Sequence, residues 1–234
     1  LSKTKLRPTR EDRRLDREIL SEIFTIGLPA LGTTFVSCFG YIAFARMVSG
    51  MGTTIFAAHS IAITAEQIVY IPGYGLRVAT STLVGNALGE KDIRKLKATE
   101  RVSILITLLI MVVNGIGLYL FAYPFMRLFT NSVNAARIGS EMLRLVSFSE
   151  PFFGLMIVLE GISYGMGRTK HVFACEAVSM WGIRIFGTFL CVNVFGLGLK
   201  AVWLCMIADN ICKAILLYIF LSLIHISEPT RQAE

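Results

Sequence analysis

Glu66, Arg77, Glu150, Glu160, Arg184, Asp209 and Lys213 are the residues whose types invite chemistry, because each sits inside otherwise apolar sequence. An ionised side chain is costly in hydrocarbon. Intramembrane acids and bases that persist face protein or water and mark ion or substrate pathways. The densest stretch is 66–101, EQIVYIPGYGLRVATSTLVGNALGEKDIRKLKATER. It opens in an apolar run, is interrupted at Pro72-Gly73 and at Gly75, and carries both Glu66 and Arg77. It closes on Gly85, Gly89 and a basic loop. A soluble helix has no need of a charge between two apolar halves. A transport helix does, because irregular or polar membrane segments persist only against protein or a water-filled cavity. The pattern implies transport.

Glu66 lies mid-span, where a carboxyl can take a proton from one side of the membrane and release it to the other. The alternative is a structural hydrogen bond from its protonated form to a neighbouring helix. Arg77, three turns later, can pair with Glu66 across the Pro72-Gly73 break or with another helix. Glu150, just before Pro151, is expected near a vestibule, and Glu160 nearer the cytoplasmic end. Asp209 and Lys213 stand at i, i+4 and can neutralise each other; Arg184 is a further partner for an acid. Glu66, Arg77, Glu150 and Asp209 form the expected ion-coupling set. Phe35, Ser37, Phe39, Tyr70, Tyr74, Phe152 and Met156, with Glu160 and Arg184, form the expected lining of a cavity for flat cationic compounds. Apolar and cation–π contact would hold them there.

The elements that must position these residues are membrane helices. The chain has 234 residues, 54% of them hydrophobic and 17% charged, with a mean hydropathy of +0.64. Crossing a bilayer core takes about 20 residues of helix. Six stretches qualify, at 20–47, 55–88, 99–122, 139–165, 172–194 and 199–223. The second is longer than one straight span and is expected to bend at Pro72-Gly73. Residues 102–122, VSILITLLIMVVNGIGLYLFA, lack the polar outer stripe of a soluble bundle helix. The fold class is therefore all-α integral membrane. Segment 1–19 reads as a basic cytoplasmic linker and 20–223 as a six-helix unit. The polar tail 224–234 resembles either a translated cloning tail or an ordinary disordered terminus, and is set apart from function.

The net charge of +7 does not imply nucleic acid, because its placement alternates. Lys3, Lys5, Arg7, Arg10, Arg13, Arg14 and Arg17 precede the first span. Lys91, Arg94, Lys95, Lys97 and Arg101 follow the second, and Arg168 and Lys170 follow the fourth, while the intervening loops are poor in cations. By the positive-inside rule these loops and both termini are cytoplasmic, in a plasma-membrane protein. As topology signals, the basic loops need no other role. No cleavable signal peptide is visible. Cys38, Cys175, Cys191, Cys205 and Cys212 lie within the spans without metal-ligand spacing and read as small packing residues. His59, His171 and His225 form no cluster, and Trp181 and Trp203 fall near span ends, where interfacial indoles are common. No phosphate-binding loop is present, which favours a secondary mechanism over a nucleotide-driven pump. Clustered His, Asp or Cys ligands of a membrane enzyme are absent. A passive scaffold would carry Glu66, Arg77 and Asp209 at a cost to stability without purpose.

Four segments carry a resemblance: IGLPALGTTF in the first span, AAHSIAITAEQIVYIPGYGLRVATSTLVGNALGEKD, EPFFGLMIVLEGISYGMGRTK, and WGIRIFGTF with GLGLKAVWLCMIADNICKAILL. In this order they resemble the second, C-terminal half of multidrug and toxic compound extrusion (MATE) transporters, over about residues 10–222. The resemblance implies one six-helix lobe of a twelve-helix protein, whose N-terminal lobe would be its partner. It implies export of amphipathic, often cationic compounds, coupled to H+ or Na+ without a cofactor. Members of one branch carry acids that here are replaced by Phe44, Ser37 and Phe153, and the acidic position of a GAGDT-like turn is Arg168. The resemblance therefore points away from sodium coupling through those positions and toward Glu66. A lipid-linked oligosaccharide flippase of the same superfamily is the alternative, but such proteins line their cavity with several arginines.

Overall fold

The computed structural model describes the backbone of residues 17–231 and the side chains of 17–21 and 23–223. The expected linker up to residue 16, and residues 232–234, lie outside the described residues. Helix α1 spans Arg17–Ser49, α2 Thr53–Gly89, α3 Ile93–Phe129, α4 Val133–Ser147 and α5 Glu150–Gly165. Helix α6, Thr169–Ser179, continues through a π-helical turn, Met180–Ile185, a short α7, Phe186–Phe189, and a second π turn, Leu190–Val194. Helix α8 is Leu199–Arg231. Among the described residues there is no strand.

Five of these segments are long and apolar enough to cross a membrane, and α4 with α5 makes a sixth, bent by 60°. The outward stripe of α3 shows why lipid must surround them. Leu105, Leu109, Ile116 and Leu120 are 57–67% exposed on one side of the helix, an apolar patch that water would not tolerate. The protein is an all-α integral membrane protein, as the hydropathy implies.

Proline sets a break that was not expected, at the start of α5. Helix α2 runs uninterrupted through Pro72, Gly73 and Gly75. One residue from the Ile68 carbonyl that Pro72 leaves without its i−4 donor, the Asn114 side chain on α3 donates to the Val69 carbonyl at 3.0 Å, which ties this stretch of α2 to a neighbouring helix. The break falls at Phe148-Ser149, ahead of Pro151, which occupies the first turn of α5. A residue without an N–H fits a helix start and cannot continue the preceding helix. The Ser149 N–H and hydroxyl both close back onto the Val146 carbonyl, at 2.7 and 2.8 Å. The backbone of α8 likewise stays helical to Arg231, past the expected start of the tail at residue 224.

The lobe is knit by α2 against α3 and α5, α3 against α4 and α5, and α5 against α8, while α1 packs chiefly on α6. Glycines let the backbones close up. A Cβ at Gly161 would stand 2.7 Å from the Arg77 carbonyl, and one at Gly165 would stand 2.6 Å from the Ser81 carbonyl. Both contacts seat α5 directly on the α2 backbone, as small residues do between membrane helices.

The apolar core is divided in two. One cluster gathers Val84, Leu96, Ile157, Ile162, Val172 and Leu217. The other gathers Phe44, Ala62, Leu118, Met126, Leu143 and Trp203. In α2, α3 and α8 these sets occupy opposite ends of the helix, so a middle stretch of each span is left for polar residues.

Candidate functional site

Polar side chains collect in that middle belt. Glu66 on α2 is 2% exposed and accepts a hydrogen bond from the Tyr70 hydroxyl one turn on. Tyr70 stacks on Phe153 of α5, with ring centroids 3.7 Å apart. Tyr74 meets Phe153 edge-on at 6.2 Å. Glu66, Gln67, Tyr70, Tyr74 and Phe153 share a cleft of about 50 Å3 with Tyr41, Arg184 and Asn210. The position that carries an acid in the resembled sodium-coupled branch thus provides an aromatic wall here.

The buried Arg184 and Lys213 and the part-buried Arg77 are each paired with an acid. Arg184 Nε lies 2.8 Å from Asp209 Oδ2, and its Nη2 donates to Asn210 Oδ1 at 3.3 Å. Lys213 Nζ lies 2.6 Å from Glu176 Oε2, and Glu176 also accepts from the Ser37 hydroxyl. Arg77 Nη1 donates to Glu160 Oε2 at 3.1 Å, and its guanidinium lies 5.3 Å over the Tyr74 ring. Three ion pairs therefore hold α2 to α5, the π turn to α8, and α6 to α8.

Of the buried acids around this belt, Glu66 and Glu150 stand outside these pairs. Glu66 has only the Tyr70 hydroxyl, and neither oxygen of Glu150 has a hydrogen-bond partner. Glu150 is fully buried at the first residue of α5, within electrostatic reach of Glu66. A buried acid with no ion-pair partner is costly to keep ionised unless its environment changes. That is the behaviour a coupling group needs.

The structure decides between the alternatives left open for Arg77, keeps the Asp209–Lys213 contact, and corrects other local expectations. Arg77 pairs with Glu160 on another helix, so it does not meet Glu66; eleven residues along α2 separate them by about 16 Å of rise. Asp209 and Lys213 are neighbours at 3.8 Å, yet each lies closer to an ion partner on the α6 span. Trp203 is not interfacial: it is fully buried and its Nε1 donates to His59 Nδ1 at 3.2 Å. Trp181 sits in the π turn and lines a separate apolar cleft on α1 with Phe35 and Phe39. Phe35 and Phe39 therefore do not join the Glu66 cleft. Phe152 points outward at 45% exposure and Met156 is buried in the core, while Phe153 takes the place on the cleft.

Glu176, Tyr41, Gln67 and Asn210 belong to the belt and were not among the expected site residues. Glu176 was readable as one more acid inside the fifth apolar stretch. The other three carry no signal in one sequence, because uncharged polar residues are common in membrane helices.

Residues 29–190, more than half of the chain, match the MatE family. The probable multidrug resistance protein NorM of Thermotoga maritima is 30% identical over 201 residues, which cover 85% of this chain and 43% of that protein. The probable multidrug resistance protein YoeA of Bacillus subtilis is 22% identical over 205 residues, covering 88% of this chain and 44% of that protein. Among solved structures, a MATE protein in its bent conformation has a TM-score of 0.88 at 20% identity, over 97% of this chain and 50% of its own. A MOP superfamily transporter from Pyrococcus furiosus has a TM-score of 0.82 at 22% identity, over 91% of this chain and 48% of its own. These structural likenesses establish the fold. The chain spans about half the length of the relatives it matches. With its all-helical membrane fold and a match running from the first span into the fifth, the chain belongs to the MatE family.

Proposed function

We propose that this chain is the C-terminal lobe of a cation-coupled multidrug antiporter, with Glu66 as its principal coupling carboxylate and Glu150 as a second acid in the same relay. The observation that carries this reading is the division of the buried charges. Arg77, Arg184 and Lys213 are paired with Glu160, Asp209 and Glu176 respectively, and Glu66 and Glu150 are left without an ion-pair partner. Glu66 also opens onto a cleft midway between the two apolar clusters, the depth at which alternating-access transporters place their sites.

The proton is the proposed coupling ion. Arg184 shares the cleft with Glu66, and its fixed positive charge repels a second metal cation. A proton instead cancels the carboxylate charge by forming an O–H bond, and Tyr70 is already placed as its hydrogen-bond partner. Substrates are proposed to be amphipathic, often cationic compounds, bound between this lobe and an N-terminal one, in a plasma-membrane protein with both ends cytoplasmic. A cleft of about 50 Å3 is far below the several hundred Å3 of drug-sized sites, so the drug cavity requires the second lobe.

The test uses the two-lobed transporter in proteoliposomes, following efflux of a fluorescent cation driven by a proton gradient. Glu66→Gln should abolish gradient-driven efflux while leaving expression and substrate binding in place, and Glu160→Gln should do less. Normal transport by Glu66→Gln with an unchanged pH dependence would assign coupling to another residue or to the other lobe.

A further inference from the structure

A second cleft, of about 510 Å3, lies between α3, α5 and α8, at the end of the lobe that carries the basic α2–α3 loop. Its α3 wall is a single stripe in which Lys97, Arg101 and Ile104 follow at i, i+4 and i+7, the spacing that puts side chains on one helix face. Its α8 wall is Tyr218, Leu221 and Ser222. The chemistry is ordered by depth: Lys97 and Arg101 are exposed, whereas Leu159, Ile162 and Leu221 form a buried apolar floor. Glu100 shares the wall and sets one negative charge against the two cations, leaving the mouth positive.

We propose that this groove binds an anionic phospholipid. The phosphodiester sits at Lys97 and Arg101, where a guanidinium fork matches phosphate oxygens, and the Tyr218 and Ser222 hydroxyls supply further donors. One acyl chain lies over Ile104, Leu159, Ile162 and Leu221. A water-soluble anion would leave that floor wet, whereas a lipid covers it. Leu105, next to Ile104 on α3, and Leu109 one turn further are exposed apolar residues. Basic pockets between membrane helices select anionic headgroups for the same electrostatic reason. Two of the topology-setting cations thus have a second role, and a lipid in the groove ties α3, α5 and α8 together at the leaflet surface. This site is separate from the Glu66 cleft and does not depend on the coupling assignment.

Native mass spectrometry of the detergent-purified two-lobed transporter tests the proposal, by titration with phosphatidylglycerol or phosphatidylcholine of equal chain length. The intact protein should retain phosphatidylglycerol in preference to phosphatidylcholine. Lys97→Gln with Arg101→Gln should reduce that preference about thirtyfold, and Arg101→Gln alone about fivefold, given the contribution of one surface cation. A Lys91→Gln, Arg94→Gln pair removes the same charge outside the groove and should leave the preference intact. Should the double variant fail to fold, the single exposed Arg101→Gln change still decides the matter. The proposal is overturned if the groove variants keep the preference, or if the control pair loses it equally, which would indicate a diffuse surface potential. Displacement of phosphatidylglycerol by millimolar inorganic phosphate would also overturn it, by showing a site for soluble anions.

Discussion

Arg184 and Asp209 face each other at 2.8 Å with both side chains almost wholly buried, one in the π turn of the fifth span and the other on α8. The pair joins a segment that departs from α-helical winding to a regular helix, and its ends also reach Asn210 and Lys213. Inside the lobe such a pair fixes which face of the irregular segment turns inward.

Removing one member should therefore be worse than removing both. Asp209→Asn leaves Arg184 buried without its counter-charge, and the expected loss is about 3 kcal/mol. The double change Arg184→Met, Asp209→Leu should recover most of it. Denaturant unfolding of the purified protein followed by tryptophan fluorescence, with Trp203 in the core as reporter, gives the comparison. Asp209→Asn melting like the parent would show that the pair contributes nothing.

Close backbone contact between α2 and α5 predicts an asymmetry among glycines. Gly161→Ala would press a methyl against the Arg77 carbonyl at 2.7 Å and should destabilise by about 1–3 kcal/mol. Gly75→Ala meets nothing within 4 Å and should be neutral or stabilising, since alanine is the better helix former. Equal effects at the two positions would contradict the packing.

The basic loops predict sidedness. On a cysteine-free background, Glu90→Cys should label with an impermeant maleimide only from the cytoplasmic side, and Asn131→Cys only from the opposite side. Asn131 is preferred to its neighbour Ser132, whose hydroxyl caps α4 by accepting from the Ala135 N–H at 3.3 Å. Reversed labelling would invert the orientation, and labelling of both from one side would contradict α3 as a complete span.

The isolated chain should not transport. Its cleft at Glu66 is too small for a drug, and alternating access needs a second lobe to rock against. Liposomes containing only this chain should show no gradient-driven efflux of a fluorescent cation. Robust efflux would show that two copies assemble into a working transporter.

The sequence by itself determined the membrane spans and the inventory of buried charges. Both are local properties: about 20 apolar residues in a row define a span, and an acid inside one stands out without knowledge of its neighbours. Even the element that bends was partly legible, since both Pro72 and Pro151 were visible. Pro72 lies inside a continuous helix and Pro151 starts one, a difference that residue type alone does not decide. Only the tertiary structure decided who pairs with whom. Arg77 meets Glu160, 83 residues away, and Lys213 meets Glu176 in preference to Asp209, its neighbour one turn back. Sequence spacing reaches one helical turn, whereas an ion pair in a low-dielectric interior is decided by distances across helices that only their packing sets. Glu66 and Glu150 stand out for the same reason. Their lack of an ion-pair partner is a property of the packed lobe, visible only once Arg77, Arg184 and Lys213 have been assigned to other acids.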